Sequence, residues 1–118
     1  MPDHAYAGLL HGGWRVLPDE YFRDRISVHW LVRGNEGEPS VAVLKYEPGA
    51  SVPRHRHAGL ETIMVLDGIQ SDENGDYVTG SLVLNAVGTE HSVWSKDGCT
   101  VLIQWDLPVI ILGEEKRA

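Results

Sequence analysis

Turn-forming residues break this chain about every ten residues from position 34 onward, and the stretches between them are short and rich in Val, Ile and Leu. No long helix fits between such breaks. The stretches expected as strands are Ile26 to Val32, Ser40 to Tyr46, Leu60 to Leu66, Ile69 to Ser71, Tyr77 to Asn85, His91 to Ser95 and Cys99 to Leu107, with Val109 to Leu112 after Pro108. Between them lie Glu47-Pro48-Gly49, Asp67-Gly68, Asn74-Gly75 and Lys96-Asp97-Gly98, which supply positive φ or preset φ at little cost. Sequential hairpins are the expected wiring. Only Asp3 to Leu10 and Pro18 to Arg25 read as helical, the second because Pro suits an early helical position. Many short strands predict an all-β fold, and about eight of them suit a double-sheet jelly-roll barrel.

The length of 118 residues suits one domain spanning 1–118, with a core of its own. A hydrophobic share of 42% is ordinary for a globular protein. Seventeen acids against ten bases give a net charge of −7, and the longest basic run is Lys116-Arg117. That balance argues against a surface that tracks nucleic-acid phosphates. Apolar runs such as Val109 to Leu112 fall far below the roughly 18 to 20 residues of a bilayer span, and no apolar segment follows a basic one at the N-terminus. The single Cys99 forms no intrachain disulfide and rules out any zinc site built on two thiolates. A cytoplasmic protein without membrane or nucleic-acid partners is the expectation.

Three of the six histidines carry the chemistry. His55 and His57 stand two apart in an extended segment, so their side chains project the same way and can grip one ion. Glu61 opens the next strand on the face of Ile63 and Val65, opposite Leu60, Thr62, Met64 and Leu66. A carboxylate in register with that apolar face points at a core, where an unpaired charge costs several kcal/mol. A divalent metal shared with the imidazoles would neutralise it, and nitrogen and carboxylate donors suit Zn, Fe, Ni or Mn. His91 opens another strand with Val93 and Ser95 on its face and is the fourth candidate ligand.

Gly49, His55, His57, Glu61 and Gly68 fit every fixed position of the first cupin motif, G-x5-H-x-H-x3/4-E-x6-G, within residues 49–68. Average residue usage would produce that match by chance in about one chain in 10⁵. The second motif, G-x5-P-x-G-x2-H-x3-N, spans residues 80–95 and matches at Gly80, Gly88 and His91. Ala86 stands in place of its proline and Ser95 in place of its asparagine. The stretch from Pro53 to His57, with Asp72 to Tyr77, Gly80-Ser81, His91 and Asp97 to Cys99, resembles the cupin-like domain of the ChrR anti-sigma factors. Acetylacetone-cleaving dioxygenases look similar there. The resemblance implies a cupin double-stranded β-helix with one divalent metal on His55, His57, Glu61 and His91. It also implies a small-molecule ligand in the barrel.

Two functions follow from that resemblance. One is a non-haem metal-dependent dioxygenase acting on a small dicarbonyl or enol-forming compound. The other is a non-catalytic sensor module related to ChrR. The sigma-binding helical domain of ChrR is not expected, because only about 48 residues precede Gly49. A structural cupin without metal is the third and blandest reading.

The remaining conspicuous residues read as structural. His4, His11 and His29 have no comparable partners and are expected at the surface or terminus, although strand parity leaves His29 open. Alternation turns Arg56 away from His55 and His57. Asp72-x-Asn74-x-Asp76 is similar to the start of a calcium loop, but Tyr77 replaces the needed Gly and Val83 the needed Glu, so an exposed turn is expected. Cys99 should pack as a small apolar residue. Each of Trp14, Trp30, Trp94 and Trp105 could line a ligand pocket, but Trp94 has the opposite parity to His91 and should lie outside. An outward Trp94 and the N-terminal segment predict a homodimer. No dedicated general base is legible, since Glu90 and Tyr46 are near motif residues only in sequence.

Overall fold

A computed structural model describes residues 4–113 and 116–117. Its strands are β1 (Glu20–Arg23), β2 (Ile26–Val32), β3 (Ser40–Tyr46), β4 (Ala50–Arg56), β5 (Glu61–Asp72), β6 (Gly75–Val78), β7 (Leu82–Asn85), β8 (Glu90–Ser95), β9 (Cys99–Trp105), β10 (Ile110–Ile111) and β11 (Lys116–Arg117). All pairings are antiparallel, in the order β1-β2-β3-β9-β5-β8-β4-β10-β11, with β6 and β7 also on β5. The all-β expectation holds. Helical structure among the described residues is limited to two short 3₁₀ turns, Leu9–His11 and Gly13–Val16.

The expected helix over Pro18 to Arg25 is instead β1, paired along β2. Its Tyr21-Phe22 pair favours a pleated surface, and pairing with β2 decides the outcome over the proline signal. The helix expected from Asp3 begins outside the described residues, and residues 5–8 are irregular. Hairpin wiring joins β1, β2 and β3, links β5 to β6 and pairs β10 with β11, but elsewhere neighbours come from distant parts of the chain. The expected strand Tyr77 to Asn85 is two strands broken at Thr79-Gly80.

β5 organises the barrel. Its first half pairs with β7 and β9, and its second half pairs with β6 and β8, so one strand belongs to both sheets. The Asp67-Gly68 pair, expected as a turn, is the crossing point. There the register against β9 shifts between Val65 and Asp67 while pairing resumes at Asp67 with Thr100 and Gly68 with Cys99. A bulge of this kind bends the strand and adds twist. Gly68 has φ 75°, and a Cβ there would sit 2.4 Å from the carbonyl oxygen of Gly98. The shift also explains why Leu66 is buried despite its parity with exposed Leu60.

Apolar side chains from both sheets fill the interior, among them Val28, Leu44, Ile63, Val65, Val93, Val101 and Ile103. The N-terminal segment lies across the outer face of β2 and β3. His29 Nδ1 donates to the Pro18 carbonyl at 2.8 Å, and Lys45 Nζ binds the Leu17 carbonyl at 3.2 Å and Asp19 at 2.6 Å. His29 is therefore a structural anchor on the outside, and His4 and His11 are exposed. Gly68→Ala is expected to lower the unfolding free energy by about 2 kcal/mol or more. Urea denaturation measures this, and an unchanged midpoint would contradict the crossing geometry.

Candidate metal centre

The four residues singled out by the histidine spacing come together at one end of the barrel. His55, His57, Glu61 and His91 are all buried and offer donor atoms within 4.8 Å of one another. Cross-strand pairing accounts for the meeting, since His55 lies directly opposite His91 on β4 and β8. A register shift between Val52 and His55 lets Pro53 and Arg54 both face outward and returns His55 to the interior. His57 follows β4, and its backbone N–H donates to the Thr89 carbonyl at 2.9 Å. The three rings stand edge to face, with centroids 4.7 to 5.1 Å apart.

Each imidazole is held by its Nδ1. His55 Nδ1 donates to the Pro53 carbonyl at 2.9 Å, His57 Nδ1 to the Thr89 carbonyl at 3.0 Å, and His91 Nδ1 to Asp72 Oδ2 at 3.0 Å. Carbonyl and carboxylate oxygens can only accept, so Nδ1 carries a ring proton, which in the neutral ring leaves Nε2 its lone pair. This is the arrangement in which a histidine binds metal through one nitrogen and is oriented through the other. The Nε2 atoms of His57 and His91 are buried without a hydrogen-bond partner.

Glu61 is fixed by its two cross-strand neighbours. Asn85 Nδ2 donates to Oε1 at 2.9 Å and Trp105 Nε1 donates to Oε2 at 2.8 Å. Oε1 also lies 3.2 Å from His57 Nε2, out of line for a hydrogen bond. Burial pushes the Glu61 carboxyl upward, but His57, His55 and the Asn85 amide outweigh it and hold it below its ordinary value. Burial lowers His55, and His91 lowers it further against the opposing pull of the Pro53 carbonyl, so that ring resists protonation. A carboxylate and imidazole nitrogens at such separations could hold a cation between them. The buried donor set fits a divalent ion, and a few added protons would crowd like charges instead.

Asp72 is the residue that sequence reasoning passed over. The expected exposed turn is confined to Glu73 and Asn74, while Asp72 itself is buried. Its Oδ1 accepts from Tyr77 at 2.7 Å and from the Asn74 backbone at 2.8 Å, leaving Oδ2 for His91. Burial raises the Asp72 carboxyl, but the hydrogen bonds from Tyr77, His91 and Asn74 together bring it below its ordinary value. The Glu73 carboxylate receives the Ser92 backbone N–H at 3.0 Å and pins the turn to β8. The sequence signal was the acidic turn, read only for its failure as a calcium loop.

The two departures in the second motif have local replacements. The Ala86 carbonyl accepts from Thr89 Oγ1 at 2.6 Å, and that hydroxyl also lies 3.0 Å from His57 Nδ1. Ser95 donates to the Ile69 carbonyl at 2.6 Å. Arg54 and Arg56 point outward to Glu90, at 3.4 and 3.7 Å. Glu90 is therefore outside the barrel, whereas Tyr46 faces in. Cys99 is buried, its thiol pushed up to about 11 chiefly by burial, which suits packing and not reactivity.

A cavity of about 190 Å³ reaches the cluster, with His55 and Glu61 in its wall. Leu44, Val52, Ile63 and Val93 make it largely apolar. Phe22, Trp30 and Trp105 form an aromatic side with ring centroids 5.9 to 6.1 Å apart. Of the four tryptophans, Trp30 and Trp105 line this cavity, and Trp94 is 38% exposed on the outer face of β8.

The family description of the ChrR cupin-like domain matches residues 14–106. The chain belongs to that family. As a ChrR cupin-like domain it shares its fold with the acetylacetone dioxygenase of Acinetobacter johnsonii, at TM-score 0.73 and 16% identity over 84% of this chain and 75% of that one. A putative acetylacetone dioxygenase of Methylibium petroleiphilum PM1 superposes at TM-score 0.75 with 12% identity, over 86% and 80% of the two chains. The anti-sigma ChrR of Rhodobacter sphaeroides, solved in complex with SigE, superposes at 0.71 with 23% identity. The match covers 88% of this chain and 59% of that one, so the chain spans little more than half of its length. No curated protein matches the sequence. The double-sheet barrel is thus a cupin.

Asp72→Asn keeps the shape of the His91 partner and removes its charge. It is expected to weaken metal binding about 10- to 100-fold. Competition against a chromogenic chelator measures this, and a change below about twofold would contradict the role given to Asp72.

Proposed function

We propose that His55, His57, Glu61 and His91 hold one divalent metal, and that the protein is a metal-dependent dioxygenase acting on a small dicarbonyl or enol-forming compound. The supporting observation is the cavity itself, which opens onto His55 and Glu61 beside an apolar and aromatic stretch of wall. A purely structural metal has no need of such a space. When bound by these four residues, a divalent ion such as iron, nickel, manganese or zinc would supply Lewis acidity to a ligand in the cavity.

The chain's own groups define what enters. Asn85 and Trp105 hold Glu61 in place, so its charge faces the cluster and not the ligand. The aromatic side excludes water and suits a planar, conjugated ligand. Among the described residues, Glu61 is the only buried carboxylate in the cavity wall, and burial holds the Tyr46 hydroxyl in its protonated form. Glu36 and Glu38 line only the exposed part of the wall, so its buried part offers no separate carboxylate base, which fits a substrate acidic enough to ionise readily at the cluster.

Protein reloaded with Fe²⁺ is expected to consume O₂ with at least one member of a β-diketone panel, and His57→Ala is expected to abolish both consumption and metal retention. An oxygen electrode reads the first and elemental analysis the second. No consumption above background with any member would contradict the enzyme reading. Membership of the ChrR family favours a second reading, a metal-holding sensor module without turnover, which stoichiometric zinc and a silent electrode would support.

We place a contact between two copies on the outer face carrying Trp94, whose exposure leaves a large aromatic surface unpartnered. Sedimentation at micromolar concentration is expected to give twice the chain mass of 13.1 kDa. A species of chain mass alone would contradict it.

A further inference from the structure

The cavity has a second polar end that the metal reading does not use. Tyr46 and Gln70 are both buried and both line it, Tyr46 at the end of β3 and Gln70 on β5 beyond the crossing. Tyr46 pairs with Cys99 on β9, whereas Glu61 pairs with Trp105 at the other end of the same strand. Gln70 Nε2 lies 3.4 Å from the Tyr46 hydroxyl. Whichever end of the amide faces that hydroxyl, one O–H or N–H of the pair remains without an acceptor among the described residues. A buried unmet donor in an apolar cavity is unfavourable unless a ligand or water accepts it.

Arg23 reaches the same cavity. The register between β1 and β2 shifts between Tyr21 and Arg23, and consecutive residues Phe22 and Arg23 both become half-buried and line the space. The hairpin that carries them is tightly held. Arg25 adopts φ 61°, its guanidinium donates to the Pro48 carbonyl at 3.1 Å, and its own carbonyl accepts from Glu47 at 2.9 Å. A non-glycine residue in that conformation persists only where its surroundings enforce it. Among the described residues nothing hydrogen-bonds or ion-pairs with the Arg23 side chain. Arg23 lies opposite Ile26, and Ile26 lies opposite Tyr46 on the next strand, so Arg23 and Tyr46 stand at the same end of the sheet.

We infer that Arg23, Tyr46 and Gln70 form a carboxylate-binding end of the cavity, and that the ligand is a small oxo or enol acid whose other oxygen faces the His55 and Glu61 end. An unpaired guanidinium beside neutral donors is the arrangement that recognises a carboxylate. On a chain of net charge −7 it gives an anion a local reason to enter. The assignment of the opposite end rests on the metal reading above, while the carboxylate end stands on its own residues. It narrows the ligand from dicarbonyl compounds in general to acids.

Matched pairs of probes separate the possibilities. Acetoacetate and acetylacetone differ in a carboxylate against a methyl ketone, as do 4-oxopentanoate and hexane-2,5-dione at a longer reach. Calorimetry with the zinc-loaded and the metal-free protein measures binding without turnover. The wild type is expected to bind at least one acid about tenfold or more tighter than its ketone partner. Arg23→Gln is expected to erase that preference, Arg23→Lys to keep part of it, and Tyr46→Phe to weaken the acid about threefold to tenfold. Ketones binding as tightly as acids, acids failing to bind, or a preference that survives Arg23→Gln would each overturn the inference. Should Arg23→Gln fail to fold, an acid preference untouched in both Arg23→Lys and Tyr46→Phe overturns it equally. Intact zinc binding without acid preference sinks this inference alone; Arg23-dependent acid binding in a protein that takes up no metal sinks the metal reading alone.

Discussion

Lone pairs from imidazole rings and a carboxylate oxygen face one another in the interior within 4.8 Å, and the surrounding hydrogen bonds leave them nowhere else to turn. Each Nδ1 is committed to an oxygen, and both oxygens of Glu61 already accept an N–H. Such a cluster could gather around a cation. Much of the barrel serves to keep it in that condition: β4 and β8 set His55 against His91, and β5 sets Glu61 between Asn85 and Trp105.

The same strands make the cluster useful. Because β5 crosses from one sheet to the other at Gly68, its first residue Glu61 stands at the metal end while Gln70 stands at the far polar end of one cavity. The strand thereby couples two chemistries, a set of metal donors and a set of hydrogen-bond donors, across an apolar gap. Asp72, on the same strand, adds a second carboxylate behind His91. It strengthens that imidazole as a donor and lowers the net positive charge that a divalent ion would bring with Glu61 alone. An arginine at the opposite end then becomes the chief local attraction for an anionic ligand.

Local patterns made part of this legible. The bounds of β2 and β3 follow directly from apolar stretches between turn residues, and the inward parity of Glu61, Ile63 and Val65 and of His91, Val93 and Ser95 holds as expected. So does the outward parity of Trp94 and the quiet packing of Cys99. Bulges defeated the rest. β4 carried no alternation to read because Pro53 and Arg54 face the same way, and Asp67-Gly68 imitates a hairpin turn while continuing a strand. Asp72, Tyr46 and Gln70 acquire their roles through pairings between distant strands, and Arg23 through a register shift, neither of which residue spacing encodes. The His55, His57, Glu61 and His91 set was readable because the first two histidines stand two apart in one extended stretch, and Glu61 and His91 lie at the starts of two further strands.

The central claim is that these four residues are ligands to one ion. X-ray absorption at the metal edge, on protein purified without chelator and checked by elemental analysis, tests it most directly. The account predicts about one divalent ion per chain in a shell of nitrogen and oxygen donors, with the multiple-scattering signature of three imidazoles and no sulfur. A substoichiometric metal content after reloading, or a shell containing sulfur or lacking imidazole, would contradict it.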